Sequence, residues 1–368
     1  MKKVGPRNIY LFSAVVIMGL TLVYATIVSA TLNTELQISG EASFRTLGLL
    51  REQILNDNGG AHEIRTRLTP NFSVSATTDE GMFAIQDDYG TSYYYRGAVT
   101  NNNLIFGEHQ WKIIRIDGKG NIKLIYNGPC PENSCIINVS GSDVYIPRGP
   151  HNWNAPFIND NKYAGFMFGG ANGVASTSYE TAHTNETNSN IKTLLEEWYQ
   201  NNILTKSQTL INKITDVAYC NDRSLTAGSG FGNINTFFGS FNRTLFGLNP
   251  SLRCPNENDK FSVYTQNGNG ALTYPIAAIT VDEAIFAGVV PMVPNPSYYL
   301  HTGQTYWTIT PGSLQNNSAR MWVIFANGGI DPDGWVSFGF NIRPVITLSS
   351  AVEYQEGDGT AQNPYLIK

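Results

Sequence analysis

The chain has 368 residues, of which 42% are hydrophobic, 12% aromatic and 14% charged, a composition that can bury a core and that excludes an unstructured tail. Its net charge is −5, and residues 31–368 carry 21 basic against 29 acidic side chains. Such a chain lacks the basic footprint that phosphate contacts demand, which excludes a general nucleic-acid binder.

Residues 1–30 read as a signal peptide or an N-terminal membrane anchor. Lys2, Lys3 and Arg7 precede an uncharged apolar run over residues 9–28, and Val28-Ser29-Ala30 offers small residues for cleavage. In either case the basic flank places the rest of the chain outside the cytoplasm, with a membrane as partner if the segment stays uncleaved. Four cysteines suit that compartment; nearest-neighbour pairing gives Cys130–Cys135 and Cys220–Cys254. A zinc site is the rival reading of the same cysteines.

Residues 31–75 read as a partly helical connector. Phe44, Leu47, Leu50 and Ile54 form a short helical stripe, and Asn58-Gly59-Gly60 stops it. Residues 76–368 form the expected extracellular domain. Short strands are expected at Met82–Ile85, Ser92–Tyr95, Leu104–Phe106, Trp111–Ile116 and Asn121–Tyr126, the last two joined as a hairpin by Asp117-Gly118-Lys119-Gly120. Both faces of Trp111–Ile116 are largely apolar, so that strand should be internal.

Further on, Ser189 caps a helix that buries Ile191, Leu194, Leu195 and Trp198 and leaves Lys192, Glu196 and Glu197 in water. Thr280-Val281-Asp282-Glu283 is a capping box opening a second helix through Phe286. Between them, residues 221–270 read as loops restrained by the longer cystine. The last strands are expected at Tyr306–Thr310, Met321–Ala326, Trp335–Phe340 and Pro344–Leu348. Strands at both ends with helices between predict one α+β domain whose ends share a sheet.

Candidate chemistry is sparse. His62, His109, His151, His183 and His301 show no metal-binding spacing, and Gly228-Ser229-Gly230-Phe231-Gly232 has neither the strand before it nor the helix after it that a phosphate loop requires. Asp331-Pro332-Asp333-Gly334 reads as a tight turn whose two carboxylates are the candidate calcium ligands; no other cofactor is expected. Aromatic rings combined with 38 asparagines suit a surface that recognises sugar or protein, and Tyr94, Tyr299, Trp322 and Trp335 are the candidate ligand-binding residues. No catalytic constellation stands out.

The phrases Gly81-Met-Phe, Asp87-Asp-Tyr-Gly-Thr-Ser-Tyr-Tyr-Tyr-Arg-Gly97, Trp111-Lys-Ile-Ile-Arg-Ile-Asp-Gly118, Tyr163-Ala-Gly-Phe-Met-Phe-Gly169, Cys220-Asn-Asp-Arg-Ser224, Tyr306-Trp-Thr-Ile-Thr-Pro311 and Asn341-Ile-Arg-Pro-Val-Ile346 together resemble a family of exported surface proteins of Gram-positive bacteria that carry a domain of unknown function. The strand with Tyr306-Trp307 and the final Phe340-Asn-Ile-Arg343 also resemble bacterial C-type-lectin-like modules, including the formylglycine-generating type. That resemblance implies a lectin-like fold in which Trp307 fills the core and Arg343 pairs across the last strands. Formylglycine-generating enzymes use a late cysteine pair, whereas no cysteine follows Cys254; Val293-Pro294-Asn295 lacks the first ligand of the calcium-lectin motif. The expected function is an extracellular binding or adhesion module for a glycan or protein ligand. The alternatives are a secreted polysaccharide-cleaving enzyme with a carboxylate pair and a passive envelope protein.

Overall fold

The computed structural model describes residues 48–368 apart from residues 140, 142 and 148. The expected signal or anchor, with its apolar run over residues 9–28, lies outside the described residues. No helix among the described residues is long and apolar enough to cross a membrane.

Two short helices come first, α1 (Leu50–Asp57) and α2 (Ala61–Thr66), separated by Gly59 and Gly60 at φ of 99° and 88°. Their Leu50, Ile54 and Ile64 side chains are fully buried, and Leu50 N–H donates to Val352 O at 2.9 Å. Of the expected partly helical connector over residues 31–75, the part from residue 48 on is described, and its two helices pack on the main body. The described residues from 48 on belong to one compact unit, because these aliphatic side chains find their cover on the main body.

Five strands follow: β1 (Asp79–Gln86), β2 (Thr91–Gly97), β3 (Asn103–Phe106), β4 (His109–Ile116) and β5 (Ile122–Pro129). The apolar β4 is internal, paired with β5 on one side and with β3 and β2 on the other. In the β4–β5 turn the Asp117 carboxylate accepts from the N–H groups of Lys119 and Asn121 at 2.9 and 2.8 Å, closing the hairpin locally.

The helix α3 (Asn190–Asn202) begins where Ser189 Oγ accepts from Lys192 N–H. Lys192 and Glu196, expected in water, are buried instead. They pair at 2.8 Å, and Glu196 also accepts from Thr273 N–H at 2.7 Å, so their charges are compensated under the neighbouring segment. Residues 221–270 are more structured than a loop reading allows. They hold β6 (Leu225–Ala227) and β7 (Thr236–Phe238), and the Cys220–Cys254 cystine spans them. The helix α4 (Val281–Phe286) opens with the Thr280–Glu283 capping box.

A second sheet runs β6–β7–β8–β9–β10, completed by β8 (Tyr306–Gln315), β9 (Ser318–Ile324) and β10 (Ile330–Trp335). Asp331–Gly334, expected as a tight turn, lies inside β10. The register slips between the Met321–Gly334 and Val323–Asp331 pairs, a bulge that accommodates Pro332 without a ladder N–H. The expected Trp335–Phe340 strand shrinks to Gly339–Phe340, paired with His151–Asn152.

The chain then returns to the first sheet. The strand β11 (Val345–Leu348) pairs with β5, and β12 (Tyr365–Ile367) runs parallel to β3. The fold is therefore α+β. Trp307 is fully buried against Trp153 and Phe340 in the main core.

Candidate functional site

The four aromatic candidates separate by exposure. Tyr94 is 2% exposed, packed between Phe83 and Phe286, and Trp322 is 0% exposed with its indole N–H donating to Ser240 Oγ at 3.1 Å. A ligand platform needs an open ring face, so both expectations are corrected: these are core rings. Trp335 stacks on Phe338 and receives the Arg320 guanidinium over its ring, 5.4 Å from the centroid. Tyr299 alone of the four lines a polar cleft.

Asp331 and Asp333 border a different feature, an open groove of about 490 Å3 with Phe237, Phe241, Phe246 and Met292. Arg320 takes the Asp333 carboxylate, and Asp331 accepts from Asp333 N–H at 2.7 Å. Burial, with Asp333 nearby, holds the Asp331 carboxyl above its ordinary value. Among the described residues no group of three or more His, Cys, Asp or Glu side chains is placed to hold a metal. The pair thus offers two carboxylates, one of them engaged by Arg320, toward the roughly six to eight oxygens of a calcium shell.

Other charged clusters are internally matched. Glu283 meets Lys123 at 2.6 Å and Arg115 at 3.0 Å, Arg115 also meets Asp87, and Arg243 joins Asp222 and Asp282 at 2.8 Å each. The space among them is about 40 Å3, enough for ordered water and too small for a substrate. Two of the histidines are core residues. Burial depresses His109 to about 4 amid Trp111, Tyr126 and Trp198, and depresses His183 to about 2. The glycine-rich 228–232 loop docks on Asn161, whose amide donates to the carbonyls of Phe231, Gly232 and Ile234.

The polar cleft has a volume of about 430 Å3, within the range of about 300–1,000 Å3 that small-ligand sites occupy. It opens between β3, β4 and β5, the loop after the Cys130–Cys135 bridge, the Pro296–His301 segment and the Thr360–Gln362 turn. Local chemistry holds each wall. Asn295 donates to the carbonyls of Ala76 and Gly288 and accepts from Ser297 N–H, so this amide, the last residue of the calcium-motif fragment, anchors the tyrosine-bearing segment. Gln110 accepts from Asn138 N–H at 2.6 Å, and Asn127 donates to Asn138 O at 2.8 Å, fixing the cystine loop. Gly141, at φ 77°, lets that loop lie against Thr302, whose Cα would stand 2.5 Å from an added Cβ.

At the β4 side of the cleft sits Lys112, 8% exposed. Its ammonium donates to Asn103 Oδ1 at 2.5 Å. Both Asn103 amide protons are occupied by the carbonyls of Thr100 and Gly359, so Asn103 presents an acceptor to Lys112. Beneath lies Arg343, 1% exposed, which donates to Tyr126 O at 2.9 and 3.0 Å, to Leu300 O at 3.3 Å and to Asn127 Oδ1 at 3.5 Å. Among the described residues neither cation forms an ion pair with a carboxylate. Burial first and the Arg343 charge second lower Lys112 to about 8. The Tyr298 and Tyr299 hydroxyls are buried and have no hydrogen-bond partner among the described residues. Both are pushed well above their ordinary range by burial, so they remain protonated donors.

No carboxylate lines the cleft among the described residues. It can therefore bind, orient and neutralise, but it offers no acid–base pair for glycoside cleavage. Of the sequence candidates Tyr299 lines this cleft; Lys112 is not among them, because it reads as one of two basic residues, with Arg115, in the otherwise apolar Trp111–Ile116 strand. Comparison of the chain with protein-family models, curated proteins and solved structures found no match.

Proposed function

We propose that this domain is an extracellular binding or adhesion module of the bacterial cell surface, and that its ligand, a glycan or a protein, enters the Lys112 cleft. The observation that carries this reading is a buried ammonium that meets no carboxylate among the described residues, at the wall of a roomy cleft. The Lys112 ammonium has donors beyond the one that Asn103 takes, and an entering ligand would meet them. Two cystines suit an oxidising exterior. Residues 9–28 would display the domain on a membrane if uncleaved.

A C-type-lectin-like architecture belongs to the same proposal. Its support is the set of short antiparallel strands, the buried Trp307, Arg343 bridging to Tyr126, and the return of β11 and β12 to the first sheet. The hydrolase alternative gains nothing from a cleft without carboxylates, and a passive envelope role leaves the unmatched Lys112 without explanation.

The test is a glycan-array screen of the full-length chain in mild detergent, in calcium and in chelator, with Lys112→Met in parallel. The expected result is selective signal that persists in chelator and disappears in the variant. Silence on every glycan, followed by equal silence against extracellular proteins, removes the binding reading.

A further inference from the structure

We infer that the cleft selects an acidic sugar, with a single ring carboxylate seated on Lys112 and the ring hydroxyls on the surrounding amides and hydroxyls. This rests on the binding-module reading and names its ligand class.

The charge argument comes first. Several buried cations elsewhere in the fold meet carboxylates, Arg96 with Glu80 at 2.8 Å, Lys123 with Glu283 at 2.6 Å and Arg223 with Asp259 at 2.6 Å, while Lys162 is held by the carbonyls of Gly169 and Ala171. Lys112 and Arg343 have no carboxylate partner among the described residues, and unlike Lys162 they lie close enough to repel each other. The Arg343 donors are directed at carbonyl and amide oxygens inside the fold. The Lys112 ammonium has three donors, and one goes to Asn103. An incoming anion would supply the missing charge where water is partly excluded, which strengthens the attraction.

The second argument separates a carboxylate from a phosphate. A phosphate dianion is usually held by several N–H donors, an arginine fork or a helix N-terminus. Among the described residues, no member of α1, α2, α3 or α4 and no arginine lines this cleft. One ammonium matches one negative charge.

The third argument concerns the rest of the ligand. Apart from Lys112 and His301, the described lining residues carry no titratable side chain other than the two tyrosines, and several offer hydrogen-bonding groups, including Thr100, Asn127, Ser297, Thr360 and Gln362. Such groups suit hydroxyls that both donate and accept. Tyr299 is half-buried and lines the cleft.

The experiment is a calorimetric titration of the full-length chain with a glucuronate-terminated disaccharide, its glucose-terminated counterpart, acetate and inorganic phosphate. Lys112→Met and Lys112→Gln are titrated in parallel after thermal melts confirm that they fold. We expect the acidic disaccharide to bind about 10- to 100-fold more tightly than the neutral one, as a charge-assisted hydrogen bond would give, with that preference lost in both variants. The acid-to-neutral comparison needs no variant, so a misfolded mutant does not rescue the idea. Equal affinity for the two disaccharides overturns the acidic-sugar inference and leaves the binding module standing. Phosphate or acetate binding as tightly as the acidic disaccharide also overturns it, by showing an anion site indifferent to sugar. Failure of both disaccharides, with the glycan array silent as well, removes the sugar-binding form of both readings.

Discussion

Asn103 stands directly opposite Lys112 in the β3–β4 ladder, and its amide oxygen takes the Lys112 hydrogen bond at 2.5 Å. The pair holds a positive charge in a buried position without neutralising it. Lys112→Met should therefore stabilise the ligand-free protein, by about 1–2 kcal/mol at pH 7, once the loss to the Asn103 oxygen is set against relief of the buried charge. The pH dependence has a definite sign. The folded-state value of about 8 lies below the unfolded value of 10.5, so the unfolded chain binds more protons between these limits and the parent gains stability across them. Urea denaturation at pH 7 and pH 10.5 should show the advantage of Lys112→Met shrinking at the higher pH. A variant less stable than the parent at pH 7 would contradict this account.

Ligand affinity should run the other way. The ammonium that attracts a carboxylate is present below about pH 8 and disappears above it. The other titratable groups lining the cleft are His301 and the two tyrosines, and the tyrosines are pushed well above their ordinary range. Affinity for an acidic disaccharide should accordingly be several-fold lower at pH 9.5 than at pH 7, while affinity for any bound neutral analogue stays level. Parallel titrations of the parent and Lys112→Gln check this, since the variant should show no such fall.

Local signals in the sequence translated into structure where the chemistry is local. The Thr280–Glu283 box, the Ser189 cap and the Asp117–Gly120 hairpin each close within five residues, and the two cystines join nearest neighbours. The site is a different matter. Whether Lys112 meets a carboxylate depends on the β3–β4 register and on Gly359 approaching Asn103 from 256 residues away. Tyr94, Trp322 and Tyr299 are alike as ring-bearing strand or loop residues, and tertiary packing alone separates two core rings from one at a cleft. The Asp331–Gly334 stretch reads as a turn from its residues, yet pairing with β9 recruits it into a bulged strand. Lys192 and Glu196 lie four apart on a helix face that polarity assigns to water, and Thr273 covers them.

The buried Glu283 offers a test of the matched charges. Burial alone would push its carboxyl up, but Lys123, Arg115 and the cap at Thr280 outweigh that and hold it at about 2, below the ordinary 4.5. A depressed carboxylate contributes stability above pH 4.5 that is lost as pH falls toward 2. Glu283→Gln should cost about 3–5 kcal/mol at pH 7, because Lys123 would be left buried without a counter-charge. Its stability should also vary less than the parent's between pH 4.5 and pH 2. Denaturant melts across that range decide it, and a loss under 1 kcal/mol at pH 7 would show that the network adds little.

The two cystines should separate stability from binding. Sequence separations of 5 for Cys130–Cys135 and 34 for Cys220–Cys254 imply unfolded-state restraints of roughly 2 and 4 kcal/mol respectively. Stability alone therefore ranks the longer bridge first. Position ranks them in reverse for binding: the short bridge leads directly into Ile136 and Asn138, whose contacts with Gln110 and Asn127 hold one cleft wall, whereas the long bridge lines the small ionic cavity. Freeing the short loop lets that wall sample conformations that a ligand must then restrict, at about 1–2 kcal/mol for each backbone position newly ordered. Paired Cys130→Ser and Cys135→Ser replacements should thus lower Tm modestly and weaken acidic-disaccharide binding at least several-fold. Paired Cys220→Ser and Cys254→Ser replacements should lower Tm more and leave the affinity of the folded fraction near the parent value. Thermal melts and titrations on the same samples give both readouts, and affinity that simply follows Tm across the two variants would mean that the cystine loop does not shape the site.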